Sequence, residues 1–119
     1  MRFKGEIIPG RGVGRNLGFP TLNFEIPENF DSEEGVFAAQ LFLGEQKFPA
    51  ILFFGNRQTF DGVKSLEIHV LEKFDESPAS AEFEILGKIR EVKKFANEAE
   101  LKKQIATDCE TAREILGVR

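Results

Sequence analysis

An all-β barrel with one C-terminal helix is the fold this sequence predicts, and three observations carry the prediction. Up to about residue 90, apolar side chains recur at every second position, the period of strands. Beyond residue 97 the spacing switches to that of a helix. Glycine-rich corners separate the early segments. Six short antiparallel strands then remain, with edges and one face that a closed or nearly closed barrel covers, a helix lying against its side.

The first strand is Phe3 to Ile8, ended by Pro9-Gly10. Residues 10–18 are too glycine-rich for a regular element. Thr21 to Ile26 alternates, with Thr21, Asn23 and Glu25 on one side and Leu22, Phe24 and Ile26 on the other. A polar connection from Pro27 to Glu34 leads to Gly35–Leu43, where Phe37, Ala39, Leu41 and Leu43 share a face. Gly44-Glu45 reads as a hairpin turn into Lys47–Phe54. Gly55 to Gly62 reads as a loop. Ser65–Leu71 and Ala81–Lys88 complete the strands. Leu101, Ile105, Cys109, Ala112 and Leu116 fall at helical spacing. Asn97 with Glu100 three residues on is a capping-box pattern, and Gly117 supplies the stop.

The 119 residues suit a single domain spanning 1–119, with the barrel over about 1–90 and the helix over about 98–116. A 41% hydrophobic and 30% charged composition excludes a disordered tail or a fibre. No apolar run is long enough to span a bilayer, and residues 1–6 lack the apolar stretch of a signal peptide. The expectation is therefore a cytoplasmic protein with no membrane partner. A net charge of −4 argues against general nucleic-acid binding. One cysteine excludes an internal disulfide, and one histidine excludes a two-histidine metal site. Cys109, within the helical pattern, reads as a quiet half-buried thiol. The 13 Phe, with neither Trp nor Tyr, predict an aromatic core with no polar handles.

Four segments have side chains suited to chemistry, and each also has a bland reading. In Gly10-Arg11-Gly12-Val13-Gly14-Arg15-Asn16-Leu17-Gly18, backbone N–H groups and two arginines can cradle a phosphate; equally, this is a flexible corner. Its glycine spacing and the strand that follows exclude a dinucleotide fold, and no Lys-Ser or Lys-Thr follows, so it is not a Walker loop. Thr21 and Asn23 project a hydroxyl and an amide oxygen to one side, a pair that suits Mg²⁺ when phosphates supply the remaining ligands, or simply the polar side of an edge strand. Glu67 and His69 lie opposite Leu66, Ile68 and Val70; a carboxylate on a rigid strand is a good general base, or part of a solvated outer face. Ile89 to Phe95 mixes cations with an aromatic and either covers a planar ligand or is a solvated connection.

The block Gly14-Arg15-Asn16-Leu17-Gly18-Phe19-Pro20-Thr21-Leu22-Asn23-Phe24 resembles the signature of the riboflavin kinase (flavokinase) family. Gly35-Val36-Phe37-Ala38 resembles that family's next strand, and Leu66-Glu67-Ile68-His69 is similar to its Leu-Glu-Val-His strand. Arg90 to Phe95, with Gln104, Ile105 and Asp108, is similar to its closing segment and final helix. The resemblance implies a six-stranded antiparallel Greek-key barrel. It also implies transfer of the γ-phosphoryl of ATP to the ribityl 5′-hydroxyl of riboflavin, giving FMN and ADP. Carried over by position, Thr21 and Asn23 hold Mg²⁺ (with Zn²⁺ or Mn²⁺ as alternatives) together with the ATP phosphates. Gly10 and Arg15 belong to the loop over the nucleotide, and Val70 and Glu72 sit at the nucleotide. Glu67 is the general base, while Arg90, Lys93 and Phe95 lie in the segment that closes over the flavin.

Two departures from the family pattern stand out. Phe74 to Ser80 replaces an Asp-Leu-Tyr-Gly-like element and is about two residues shorter. Gln58-Thr59-Phe60 replaces a Pro-Thr-Phe. Bacterial bifunctional members carry an FMN adenylyltransferase domain ahead of the kinase, and this sequence begins directly at the first strand. The expectation is a monomeric kinase without FAD synthesis. The competing readings are a non-catalytic flavin- or nucleotide-binding barrel and a small interaction module.

Overall fold

The computed structural model describes residues 2–8, 21–56, 64–72 and 78–117. Six strands, β1 (Arg2–Glu6), β2 (Thr21–Phe24), β3 (Gly35–Leu43), β4 (Gln46–Asn56), β5 (Lys64–Val70) and β6 (Ser80–Arg90), precede the helix α1 (Glu98–Leu116). Residues 9–20, 57–63 and 73–77 lie outside the described residues, and with them Gly10, Arg15 and most of the shortened 74–80 segment.

All six strands form one antiparallel sheet in the order β1-β6-β3-β4-β5-β2. Strands β3, β4 and β5 form a meander, and β6 returns beside β3, which is the Greek-key arrangement. Gly44 opens the β3–β4 hairpin at φ 59, a conformation that glycine adopts without steric cost. The pairing of β3 with β6 shifts register between Val36 and Phe37 and between Ala38 and Ala39. Such irregularities increase local twist and curl the sheet. The two outer strands then meet at a short seam. Ile7 bridges Phe24, Ile8 N–H donates to Asn23 O at 2.7 Å, and Glu25 N–H donates to Glu6 O at 2.9 Å.

Alternation sorts the side chains into two layers. Inside the curl lie Phe3, Phe24, Phe30, Phe37, Leu41, Leu52, Phe54, Leu66, Ile68, Val70 and Phe83. Phenylalanine rings pack edge to face, Phe30 on Phe54 at 4.8 Å and Phe24 on Phe83 at 5.4 Å between centroids. None of these rings has a hydroxyl or indole N–H needing a partner. Gly5 lets the first strand approach this layer, since a Cβ there would lie 2.7 Å from Phe24 Cδ2. On the outer side, Val36, Ala38, Ile51 and Leu71 are covered by Cys109 and Ala112 of α1, with Phe53, Ile89, Ile105 and Leu116 at the margin. Strand β3 is thus buried on both faces. Cys109 is buried and free, and desolvation pushes its thiol up, so it stays protonated.

The helix ends follow the sequence pattern. Asn97 Oδ1 accepts from Glu100 N–H at 2.9 Å, and Glu100 Oε2 reaches back to the Ala96 N–H at 3.2 Å. Gly117 adopts φ 70, and its N–H donates to the Arg113 and Glu114 carbonyls.

Strand ends shift by one or two residues from the sequence reading, β1 stopping at Glu6 and β2 at Phe24, short of the expected Ile8 and Ile26, and two of the shifts have a clear cause in the pairing. Gly55 and Asn56 belong to β4, not to the loop, because they pair with Ser65 and Lys64. Likewise β6 runs on through Arg90, which pairs with Val36 once the irregularities have absorbed the extra residues.

Candidate functional site

Register places the candidate residues. Asn23 pairs with Glu67, and Thr21 with His69. Directly opposed residues of an antiparallel pair share a face. Leu22 and Phe24 face inward with Ile68 and Leu66, so Thr21, Asn23, Glu67 and His69 form a block of four on the outside of the barrel. The pairing continues across the sheet. Glu67 lies opposite Phe53, Phe53 opposite Val36, and Val36 opposite Arg90; one row runs from Asn23 to Arg90. A second row runs from Thr21 through His69 and Ile51 to Ala38, beneath the helix. Thr21, Asn23 and Glu67, distant in sequence, are therefore neighbours.

Hydrogen bonds orient this block. The Ser65 hydroxyl donates to Glu67 Oε2 at 3.0 Å, fixing one carboxylate oxygen from two residues away on the same strand face. Thr21 Oγ1 lies 3.0 Å from His69 Nδ1. Asn23 is 7% exposed, and its carbonyl is held by the seam. An open recess of about 210 Å³ begins beside it, lined by Ile8, Asn23, Glu25, Ile26, Lys64 and Ser65.

The segment after β6 borders the same face. Val92 Cγ2 would lie 3.0 Å from a Cβ on Gly55, whose register partner is Ser65. Gly55 therefore lets residues 91–95 approach the sheet next to the residue that holds Glu67. Phe95 sits between two cations, 5.6 Å from the Arg90 guanidinium and 5.3 Å from Lys93 Nζ, measured to the ring centroid. Arg90 Nε and Nη2 donate to both oxygens of Asp108, at 2.9 to 3.1 Å, while Nη1 donates to Glu91 O. Gln104 Nε2 also donates to Asp108. Asp108 is 2% exposed and thus ties the end of β6 to the middle of α1. Lys88 Nζ adds an outer tie, 2.8 Å from Glu33 and 2.6 Å from Glu91.

The other sequence-derived candidates lie elsewhere. Val70 is fully buried in the inner layer, on the opposite face from Glu67. Glu72 is exposed just beyond the end of β5. The structure does not bring these two side chains into the block of four. The motif reading passed over Ser65, and it quoted Gln104 and Asp108 only as part of the final helix, without the tie they make to Arg90. A Ser-x-Glu spacing on a strand was the available signal for Ser65. Asp108 sits among the apolar positions of α1, where a carboxylate calls for a partner.

The donor chemistry fits a hard divalent cation. Among the described residues, no three His, Cys, Asp or Glu side chains gather as a metal cage. Thr21 and Asn23 offer neutral oxygens, so a cation held there would have to draw its remaining ligands from phosphates.

Burial pushes the His69 imidazole down to about 4 from its usual 6.5, against an opposing pull from Asp108. The unfolded chain takes up this proton near pH 6.5 and the folded chain only near 4. The stability at stake is complete above 6.5 and is lost as pH falls towards 4. Resistance to urea should therefore fall more steeply with acidification in the parent than in His69→Asn. Parallel slopes would assign the acid sensitivity elsewhere.

Comparison with known proteins bears on the family and the fold. A family profile described as flavokinase, riboflavin kinase, matches residues 1–116. The bifunctional riboflavin kinase/FMN adenylyltransferase of Escherichia coli (strain K12) is 36% identical over 117 residues, covering 96% of this chain and 37% of the relative. Among solved structures, a macrolide-efflux protein from Streptococcus pneumoniae superposes with a TM-score of 0.81 at 25% identity, over 94% of this chain and 38% of that one. Riboflavin kinase from Trypanosoma brucei shares the fold, with a TM-score of 0.65 at 18% identity over 98% of this chain and 79% of that one. No described helix is long and apolar enough to cross a membrane. By the profile match along nearly its whole length and by its identity to a curated relative, the chain belongs to the flavokinase family of riboflavin kinases, whose members use ATP and a divalent cation.

Proposed function

We propose that this chain transfers the γ-phosphoryl of Mg-ATP to the ribityl 5′-hydroxyl of riboflavin, releasing FMN and ADP. The observation that carries the reading is the direct pairing of Asn23 with Glu67 on the outer face, beside the segment that holds Phe95.

In this reading Thr21 and Asn23 hold the cation, which when bound neutralises phosphate charge. Mg²⁺ is the cation best suited to two neutral oxygens plus phosphates. Glu67 accepts the proton of the 5′-hydroxyl. The hydroxyl oxygen forms the new bond to the γ-phosphorus as the bond to the β–γ bridging oxygen breaks, and ADP leaves. Ser65 keeps the carboxylate in one orientation, so little is lost to reorganisation at the moment of transfer. Phosphoryl transfer asks mainly for positioning and charge neutralisation, which a rigid sheet face provides.

Phe95, flanked by Arg90 and Lys93, covers the isoalloxazine ring from the far side of the row. Gly10 and Arg15, outside the described residues, are assigned to the nucleotide by the family resemblance, as are Val70 and Glu72. With Val70 buried, its share falls to its backbone. The proposal extends to a single domain over residues 1–119 that acts as a cytoplasmic monomer.

Product analysis tests it. Mixed with riboflavin, ATP and Mg²⁺, the protein should yield equal amounts of FMN and ADP. Flavin binding with no FMN formed would make it a binding barrel, and neither binding nor turnover would overturn the site.

A further inference from the structure

We propose that His69 is a positioning residue for the Thr21 hydroxyl, its Nδ1 accepting the hydroxyl proton so that the Thr21 oxygen turns lone pairs towards a nucleotide-borne divalent cation. The inference rests on Thr21 being a cation ligand.

A hydroxyl differs from the amide oxygen of Asn23 in one respect that matters here. It has a proton, and ligation requires that proton to point away from the cation. His69 offers the acceptor. It is the register partner of Thr21, on the same face, with Nδ1 at 3.0 Å from Oγ1. Its other register partner is Ile51, buried beneath α1, so the ring is confined between the second strand and the helix-covered layer. The imidazole must be neutral and its proton must be on Nε2. That is the tautomer in which Nδ1 keeps a lone pair to accept from Oγ1 at 3.0 Å. A neutral ring also adds no positive charge beside a bound cation. Ligands held by such a partner are pre-oriented, and loss of the partner typically costs about 10–100-fold in metal affinity.

The test uses two polar replacements that differ in where they put an acceptor. Asn places its amide oxygen near the position of Nδ1, and Gln carries it about one bond further. The probe is ADP, titrated calorimetrically with Mg²⁺ and again with metal chelated. His69→Gln should weaken Mg-ADP binding about tenfold. His69→Asn should restore most of that loss, and neither should change metal-free ADP or riboflavin binding. In a Thr21→Val background, the two His69 variants should bind Mg-ADP alike, since the hydroxyl through which they act is gone. Equal Mg-ADP affinity in the parent and both single variants, each with an intact melting transition, would overturn the positioning role. Equal losses with and without Mg²⁺ would do the same, reducing His69 to a structural part. Failure of the parent protein itself to distinguish Mg-ADP from ADP would instead remove the cation site, a result separable from the other two.

Discussion

Glu67→Gln is expected to lower turnover by about 10²–10⁴-fold, the usual worth of a positioned general base. The exchange is nearly isosteric, and a glutamine oxygen still accepts from the Ser65 hydroxyl that now holds Oε2. The register with Asn23 and the inner layer of Leu66 and Ile68 stay as they are. Only basicity is removed, so riboflavin and Mg-ADP should bind as before, and the loss should fall on kcat, not on KM. Steady-state FMN formation with both substrates saturating reads this directly. Turnover at the parental rate would take Glu67 out of the base role and leave positioning and charge neutralisation as the whole of the catalysis.

The second large effect is expected from Asp108→Ala. This carboxylate is buried and accepts from Arg90 and Gln104, so its removal strands a guanidinium whose side chain is only 19% exposed. Breaking a buried pair costs about 3–5 kcal/mol, and the residual exposure of Arg90 puts the expected value near the lower end. The loss should appear as a shift of the urea midpoint at unchanged slope. Much of it should return in Arg90→Met/Asp108→Ala, where no charge is left unpaired. The same ion pair holds Arg90 against Phe95 and Glu91, so the single variant should also bind riboflavin more weakly while Mg-ADP affinity holds. If the double variant is no more stable than the single one, the cost lies in lost packing and not in the stranded cation.

Most of the barrel was legible because its signals are local. Alternation in 35–43 and 64–70 separates the inner from the outer face, and Asn97, Glu100 and Gly117 mark the helix ends by short-range hydrogen bonds. Boundaries decided by pairing were not legible. Gly55 looks like a turn residue until Ser65 is placed opposite it, and Arg90 looks like part of a connection until Val36 claims it. At the site, the side on which Thr21, Asn23, Glu67 and His69 project could be read from a period of two. That β2 and β5 lie next to each other, with Asn23 against Glu67, depends on chain crossings that no local pattern encodes. The Asp108–Arg90 tie was hidden for a similar reason, since it joins residues 18 positions apart across two kinds of element.

The phenylalanine-only aromatic complement reaches beyond packing. Phenol and indole side chains donate electrons readily to a photoexcited isoalloxazine; a benzyl ring does not. With neither tyrosine nor tryptophan anywhere in the sequence, and Phe95 the ring between Arg90 and Lys93, the polypeptide offers a held flavin no aromatic reductant. The flavin's green emission would then survive capture, and illumination would leave no tyrosyl or tryptophanyl radical behind.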